Sequence, residues 1–223
     1  ALAEEFVRDT QSGVSLYLHI PFCRHHCFFC ACNKLGAPAA RDVSRYLDAV
    51  KKEADTVRKL LGGSVTIEQI HWGGGTPNFL TPQQIAGLQR HVTAVFGQTL
   101  PDAEISFEAD PRSLSLEHLE TLAALGFNRL SLGIQDFSAR VQEAIGRVQS
   151  FELMQGIFAQ ARKLGLININ VDLIYGLPLQ EPSAFNATID QVLSLAPSRV
   201  ALYGYAHVTW LKRTQQLLER FPL

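Results

Sequence analysis

The sequence predicts an α/β fold, an open or partly closed barrel of six parallel strands. Three observations predict it. Six strand-like runs alternate with amphipathic segments over 223 residues, a length that suits one large domain. Hydrophobic residues make up 47%, enough for a sizeable core. Each strand-like run carries polar residues near its end or is followed by glycine or cysteine, and ligands of parallel α/β folds bind at the carboxyl ends of their strands.

The strands are expected at "SLYLHI" (15–20), "IEQIHW" (67–72), "EISFEA" (104–109), "RLSLGIQ" (129–135), "NINVDLIYG" (168–176) and "RVALYGYA" (199–206). The helical connections carry their own start and stop signals. Thr81-Pro82 offers an N-cap with proline at the first helical position, followed by Ile85, Leu88 and Val92 on one face. Ser115 caps a run with Leu116, Leu119 and Leu122 that stops at Gly126. Phe151 to Lys163 stops at Gly165, and Pro182 opens a run with Phe185, Ile189 and Val192 in register. Five helical crossovers between six strands imply parallel pairing. No interior linker or short-period repeat breaks the pattern.

Net charge is −1, and no basic run or apolar stretch of membrane-spanning length is present. Neither nucleic acid nor a membrane is an expected partner, and a monomer is the expected state. The opening "ALAEEFVRDT" is acidic and polar, unlike a signal peptide. A cytoplasmic location is expected, where disulfides are disfavoured. The first residue is not Met, which points to a trimmed or partial chain.

All four cysteines fall in "HIPFCRHHCFFCACNK" (19–34), spaced Cys23-x3-Cys27-x2-Cys30-x-Cys32. Structural zinc sites draw on separated ligand pairs, and no second pair exists here. Closely packed soft thiolates in one loop suit an iron–sulfur cluster. Inert buried thiols are the plainer alternative. Beyond the second strand, "GGGTP" reads as a flexible turn whose backbone can approach a ligand. Glu108, Gln135 and Asp172 fall at or near successive strand ends. Tyr17 reads as core, and Arg147 as an ordinary surface charge.

The x3-x2 cysteine spacing resembles that of the radical S-adenosylmethionine (SAM) enzymes. The strings "YLHIPFCRHHCFFCACNK", "HWGGGTP", "EADPRSL", "GFNRLSLGIQDF", "NVDLIYGLP" and "YAH" look like the oxygen-independent coproporphyrinogen III oxidase family, from about Leu16 to His207. The resemblance implies an incomplete (β/α)6 radical SAM barrel. It implies a [4Fe–4S] cluster on Cys23, Cys27 and Cys30, with SAM on the open iron, whereas the equivalent of Cys32 is not a cluster ligand in the family. It further implies two SAM molecules: Tyr17 a SAM contact, Gly74 and Glu108 with the first, and Phe29, Gly75, Thr76, Gln135, Arg147 and Asp172 with the second. Ala206, in "YAH", is a further SAM position.

The implied activity is oxidative decarboxylation of two propionates of coproporphyrinogen III to vinyl groups in anaerobic heme biosynthesis. A 5′-deoxyadenosyl radical starts it, and a donor such as flavodoxin or ferredoxin supplies the electron. A heme chaperone of the same fold, or a radical SAM enzyme for another tetrapyrrole, shares most of these residues, but Cys32 and Arg147 favour the oxidase. By the same resemblance residues 15–208 form the core domain, 1–14 the remainder of an N-terminal arm, and 209–223 the start of a C-terminal domain.

Overall fold

A computed structural model describes residues 13–62, 65–97 and 99–222; most of the expected N-terminal segment, 1–12, lies outside the described residues. Six strands form one sheet: β1 (Val14–Ile20), β2 (Ile67–Gly74), β3 (Thr99–Ala109), β4 (Arg129–Gln135), β5 (Asn168–Tyr175) and β6 (Arg199–Gly204). Their order in the sheet is their order in sequence, and every neighbouring pair is parallel. The sheet stays unclosed, so the expected incomplete barrel is found.

The helices are α1 (Ala40–Leu61), α2 (Pro82–Phe96), α3 (Leu116–Ala124), α4 (Ala139–Ala144), α5 (Phe151–Lys163) and α6 (Pro182–Ser194). Among the described residues no helix is long and apolar enough to cross a membrane.

β1 starts one residue early, at Val14, β5 ends one residue early, at Tyr175, and β6 ends two residues early, at Gly204; two further boundaries differ for local reasons. β3 begins five residues early, at Thr99, although Pro101 follows. The β2–β3 register shifts between Ile67 and Gln69, and the proline falls where pairing is already interrupted. β2 runs on through Gly73 and Gly74, so two of the three glycines belong to the strand rather than to a turn.

The strands alternate in polarity because their two faces meet different surroundings. On one face Ile70, Trp72, Ile105, Phe107, Leu130, Leu132, Ile169 and Val171 are buried in one cluster with helical Ile85, Leu88, Leu122, Met154, Phe158 and Val192. The rings of Trp72, Phe107 and Phe127 meet at 5.6 to 6.1 Å, and Trp72 Nε1 donates to the buried Gln89. The intervening positions, His71, Ser106, Glu108, Ser131, Asn170 and Asp172, take the opposite face by the two-residue period. A parallel sheet covered by helices on both sides would be apolar throughout. The alternation marks a polar concave face.

Helix ends follow the local chemistry. Thr81 and Gln84 form a reciprocal capping box, as do Ser115 and His118, and the Ser150 hydroxyl accepts from Leu153 N–H. Gly126 and Gly165, with φ of +80° and +84°, stand just past α3 and α5, where a left-handed residue is needed.

Fully buried Asn78 ties the end of β2 to the end of β3. Its amide donates to Asp110 C=O at 3.0 Å and accepts from Asp110 N–H at 2.9 Å. N78A leaves Asp110 N–H buried without a partner, at a cost of about 1–3 kcal/mol, while Asp110 C=O keeps its bond from Ser113 N–H. A lower urea midpoint than wild type is expected, and an unchanged midpoint would show that the clamp is idle.

Candidate functional site

The cysteines stand on the loop between β1 and α1, which folds back on itself. Phe22 and Leu35 form an isolated parallel bridge, with Cys23 N–H donating to Leu35 C=O and Leu35 N–H to Pro21 C=O. The middle of the loop is pinned from the far side of the molecule, where Phe28 N–H donates to Ile145 C=O at 2.9 Å and its ring lies against Gly146. Phe29 packs against Val141, Ile145 and Leu177. All four thiols are free, with Cys23 and Cys27 buried and Cys32 exposed. Cys32 is therefore not the small buried residue of the plainer reading.

The glycine run serves this loop directly, a role other than the flexible turn expected. Gly75 N–H donates to Ile20 C=O and Thr76 N–H to Phe22 C=O, so that backbone extends the parallel ladder onto the cysteine loop. A Cβ on Gly75 would lie 2.7 Å from Pro21 O, and one on Gly73 would crowd the Glu108 carboxylate at 3.0 Å. Gly74 has φ +112°, and a Cβ there would strike the His19 ring.

Beside the loop, Tyr17, His19, His71 and Glu108 form a chain of contacts. The Asn33 carbonyl only accepts, so His19 donates to it from Nε2 at 2.9 Å and takes the Tyr17 hydroxyl on Nδ1 at 3.1 Å. Tyr17 stacks on His71, which donates from Nε2 to Glu108 at 2.9 Å and lies 2.6 Å from Ser106 through Nδ1. Tyr17 is 58% exposed and is no core residue.

Opposite stand Gln135, Arg147 and Asp172. Gln135 ends β4 with φ +70°, a left-handed conformation that costs free energy in a non-glycine residue. Arg147 lies in the loop after α4 and is 7% exposed, so it is no surface charge. Its guanidinium donates to Gly133 C=O at 2.7 Å and to Cys27 Sγ at 3.4 Å, and stands 3.6 Å from Asp110. A Cβ on Gly133 would meet Gln135 and Arg147 below 3 Å. Burial pushes the Asp172 carboxyl up and the charge of Glu108 adds to that, against hydrogen bonds from Asn170 and Ser131. For Asp110 burial acts upward as well, but the Arg112 hydrogen bond and the Arg147 charge hold it below the usual carboxylate range.

One cavity collects Cys23, Cys27, Cys30, Cys32, Phe29, Gly75, Thr76, Glu108, Gln135, Arg147 and Asp172. Tyr17 and Gly74 stand beside it through the contacts above, and exposed Ala206 lies outside its lining. The donor set suits a soft metal group. A hydrogen bond from the Cys32 thiol lowers Cys30 to about 6, against burial and with help from Lys34. The same bond holds the proton on Cys32 and pushes that thiol up. Burial raises Cys23, opposed by the Thr76 hydroxyl, which reaches its sulfur at 3.4 Å.

Among the described residues no three His, Cys, Asp or Glu side chains converge as ligands of one ion. The cysteines instead stand around a shared cavity, as the ligands of a larger multi-iron group would. Gln135 Oε1 and Arg147 Nε are buried without partners, one acceptor and one donor at the cavity. They suit the amino and carboxylate groups of an amino acid moiety.

Sequence reasoning missed four contributors. His71 and Ser106 show only as the polar members of alternating strands. Arg112 reaches Cys27 Sγ at 3.2 Å from a turn that reads as ordinary. Gln215, fully buried, donates to the carbonyls of Phe29 and Ala206 and accepts from Val208 N–H, holding the cysteine loop to the segment after β6.

The chain matches the Radical SAM superfamily model over residues 17–192. It is 43% identical over 206 residues to the oxygen-independent coproporphyrinogen III oxidase of Helicobacter pylori strain J99, covering 92% of this chain and 45% of that protein. The enzyme of the same name from Escherichia coli K12 is 40% identical over 219 residues, covering 98% and 48%. A solved structure of coproporphyrinogen III oxidase from Escherichia coli superposes with a TM-score of 0.93 at 40% identity, covering all of this chain and 51% of that one. The radical SAM methyltransferase of Kitasatospora setae, at 16% identity and a TM-score of 0.60, shares the fold. The chain spans about half the length of the curated relatives it matches. With four cysteines facing one cavity at the strand-end edge of an unclosed parallel barrel, and the family model matched over most of its length, the chain belongs to the radical SAM superfamily.

Proposed function

We propose that this chain is the radical SAM core, residues 15–208, of an oxygen-independent coproporphyrinogen III oxidase, with a further region opening at 209–223. The observation that carries the reading is the single cavity that Cys23, Cys27 and Cys30 share with Glu108, Gln135, Arg147 and Asp172. The names of relatives at about 40% identity support the substrate. A reduced [4Fe–4S] cluster held by Cys23, Cys27 and Cys30 would supply the electron for reductive cleavage of SAM, and with it the radical chemistry that a propionate decarboxylation needs.

The chain's own residues bind and orient. Cys23, Cys27 and Cys30 hold the cluster, leaving one iron for SAM. Tyr17, Gly74 and Glu108 form the first SAM position, with His71 fixing the Glu108 carboxylate. Phe29, Gly75, Thr76, Gln135, Arg147 and Asp172 form a second, with Ala206 a further SAM position, and two positions agree with two propionates. Arg147 is buried and Asp172 half-buried, which limits competition from water for the amino acid moiety and strengthens charge-assisted bonds. The external electron donor and the reducing cytosolic setting belong to the same proposal.

Three outcomes test this reading. Anaerobically reconstituted protein should carry about four irons per chain. C23A, C27A and C30A should each lose them while C32A keeps them, and equal loss in all four would make the site a four-cysteine one. In the polypeptide extended to the length of its relatives, reductant, SAM and coproporphyrinogen III should yield protoporphyrinogen IX. Bound heme with no decarboxylation would favour the chaperone.

Only the ionised form of Asp172 attracts an amino group. Its carboxyl titrates above the ordinary value of about 3.9, so affinity at the second SAM position should fall as pH drops toward that raised value. Calorimetric SAM titrations should show this slope in wild type and its loss in D172N. An equal slope in both would remove Asp172 from the site.

A further inference from the structure

Cys27 differs from the other two proposed ligands in what surrounds its sulfur. Arg112 Nη2 stands 3.2 Å from Cys27 Sγ and Arg147 Nη1 at 3.4 Å. Cys23 receives the neutral Thr76 hydroxyl and Cys30 the Cys32 thiol. Arg112 is held rigidly. Its Nε donates to Asp110 at 2.9 and 3.2 Å, Nη2 donates to the same carboxylate at 2.6 Å, and Nη1 donates to Gly146 C=O. Asp110 in turn accepts from Arg112 N–H, which closes the turn after β3. The side chains of Asp110 and Arg147 are buried, and that of Arg112 is 12% exposed. Two guanidiniums and one carboxylate leave a net positive charge against one thiolate, in a site sheltered from water.

We propose that Arg112 sets the reduction potential of the cluster, with Asp110 as the positioning residue that aims its guanidinium at Cys27. The proposal rests on the reading of Cys23, Cys27 and Cys30 as cluster ligands. Adding one electron makes the cluster one unit more negative, and a fixed cation with N–H bonds to a ligand sulfur favours that state. Arginine stays protonated over the whole working range, so the electron enters without a proton having to follow. A lysine would give charge without the planar fork that binds the carboxylate and the sulfur together.

The test compares anaerobically reconstituted wild type, R112Q and R112K, with iron per chain measured and the midpoint read by EPR in a dithionite-poised titration. R112Q should load as much iron as wild type. Its midpoint should lie lower by about a tenfold loss in preference for the reduced state, or about 59 mV for one electron. R112K should fall between. If the loss of its Arg112 partner by Asp110 prevents R112Q from loading, D110N/R112Q lacks the Cys27 donor without weakening a carboxylate's pairing and should shift the same way by less. An unchanged midpoint in an iron-loaded variant overturns the proposal. A wild type that holds no iron would instead sink the cluster reading beneath it.

Discussion

Parallel pairing obliges all six strands to end on the same edge, and everything at the site follows from that obligation. The loop after β1 brings the cysteines, the tip of β2 brings Gly75 and Thr76, and β3, β4 and β5 bring Glu108, Gln135 and Asp172. None is near another in sequence. The apolar face of the sheet packs under the helices and fixes each strand's register. The concave face is thereby free to be polar. A one-residue slip in any strand would turn its site residue into the core, so packing and site geometry are one constraint.

The second organising feature is charge within that polar face. Glu108, Asp110 and Asp172 stand close to Arg112 and Arg147, and their environments separate them. Asp110 is held ionised between two guanidiniums, whereas half-buried Asp172 lacks so close a cation and titrates higher. The arrangement commits one carboxylate to two guanidiniums and leaves the other lining the cavity. Glycine extends the same economy of space, since Gly73, Gly75 and Gly133 each stand where a methyl group would displace a neighbouring side chain or carbonyl.

Much of this was legible in the sequence where the signal is local. The strands are found within a few residues of expectation, and Thr81, Ser115, Gly126 and Gly165 act as the expected caps. What escaped depends on distant partners. Nothing near Arg147 reveals that Asp110 and Cys27 will bury it, and Tyr17 looks like core until its strand is seen to face an open concavity. The left-handed backbone of Gln135 is equally silent, because glutamine gives no hint of positive φ. His71, Ser106 and Ser131 could have been found, since their strands alternate where a doubly covered parallel sheet would not.

Gln215 has a consequence for where this molecule can be cut. Its one carboxamide has both N–H bonds and its oxygen committed, to Phe29, Ala206 and Val208. It spans the seam between the two free margins of the sheet, where no ladder runs. The strand pattern ends before residue 208, which makes that position an inviting place to trim. A cleavage there would discard the strut and leave two carbonyls and an amide facing one another across an unbridged gap. The minimal autonomous unit therefore extends past the last strand, to the short 3-10 turn of Arg213–Leu218 that locks the cysteine loop in place.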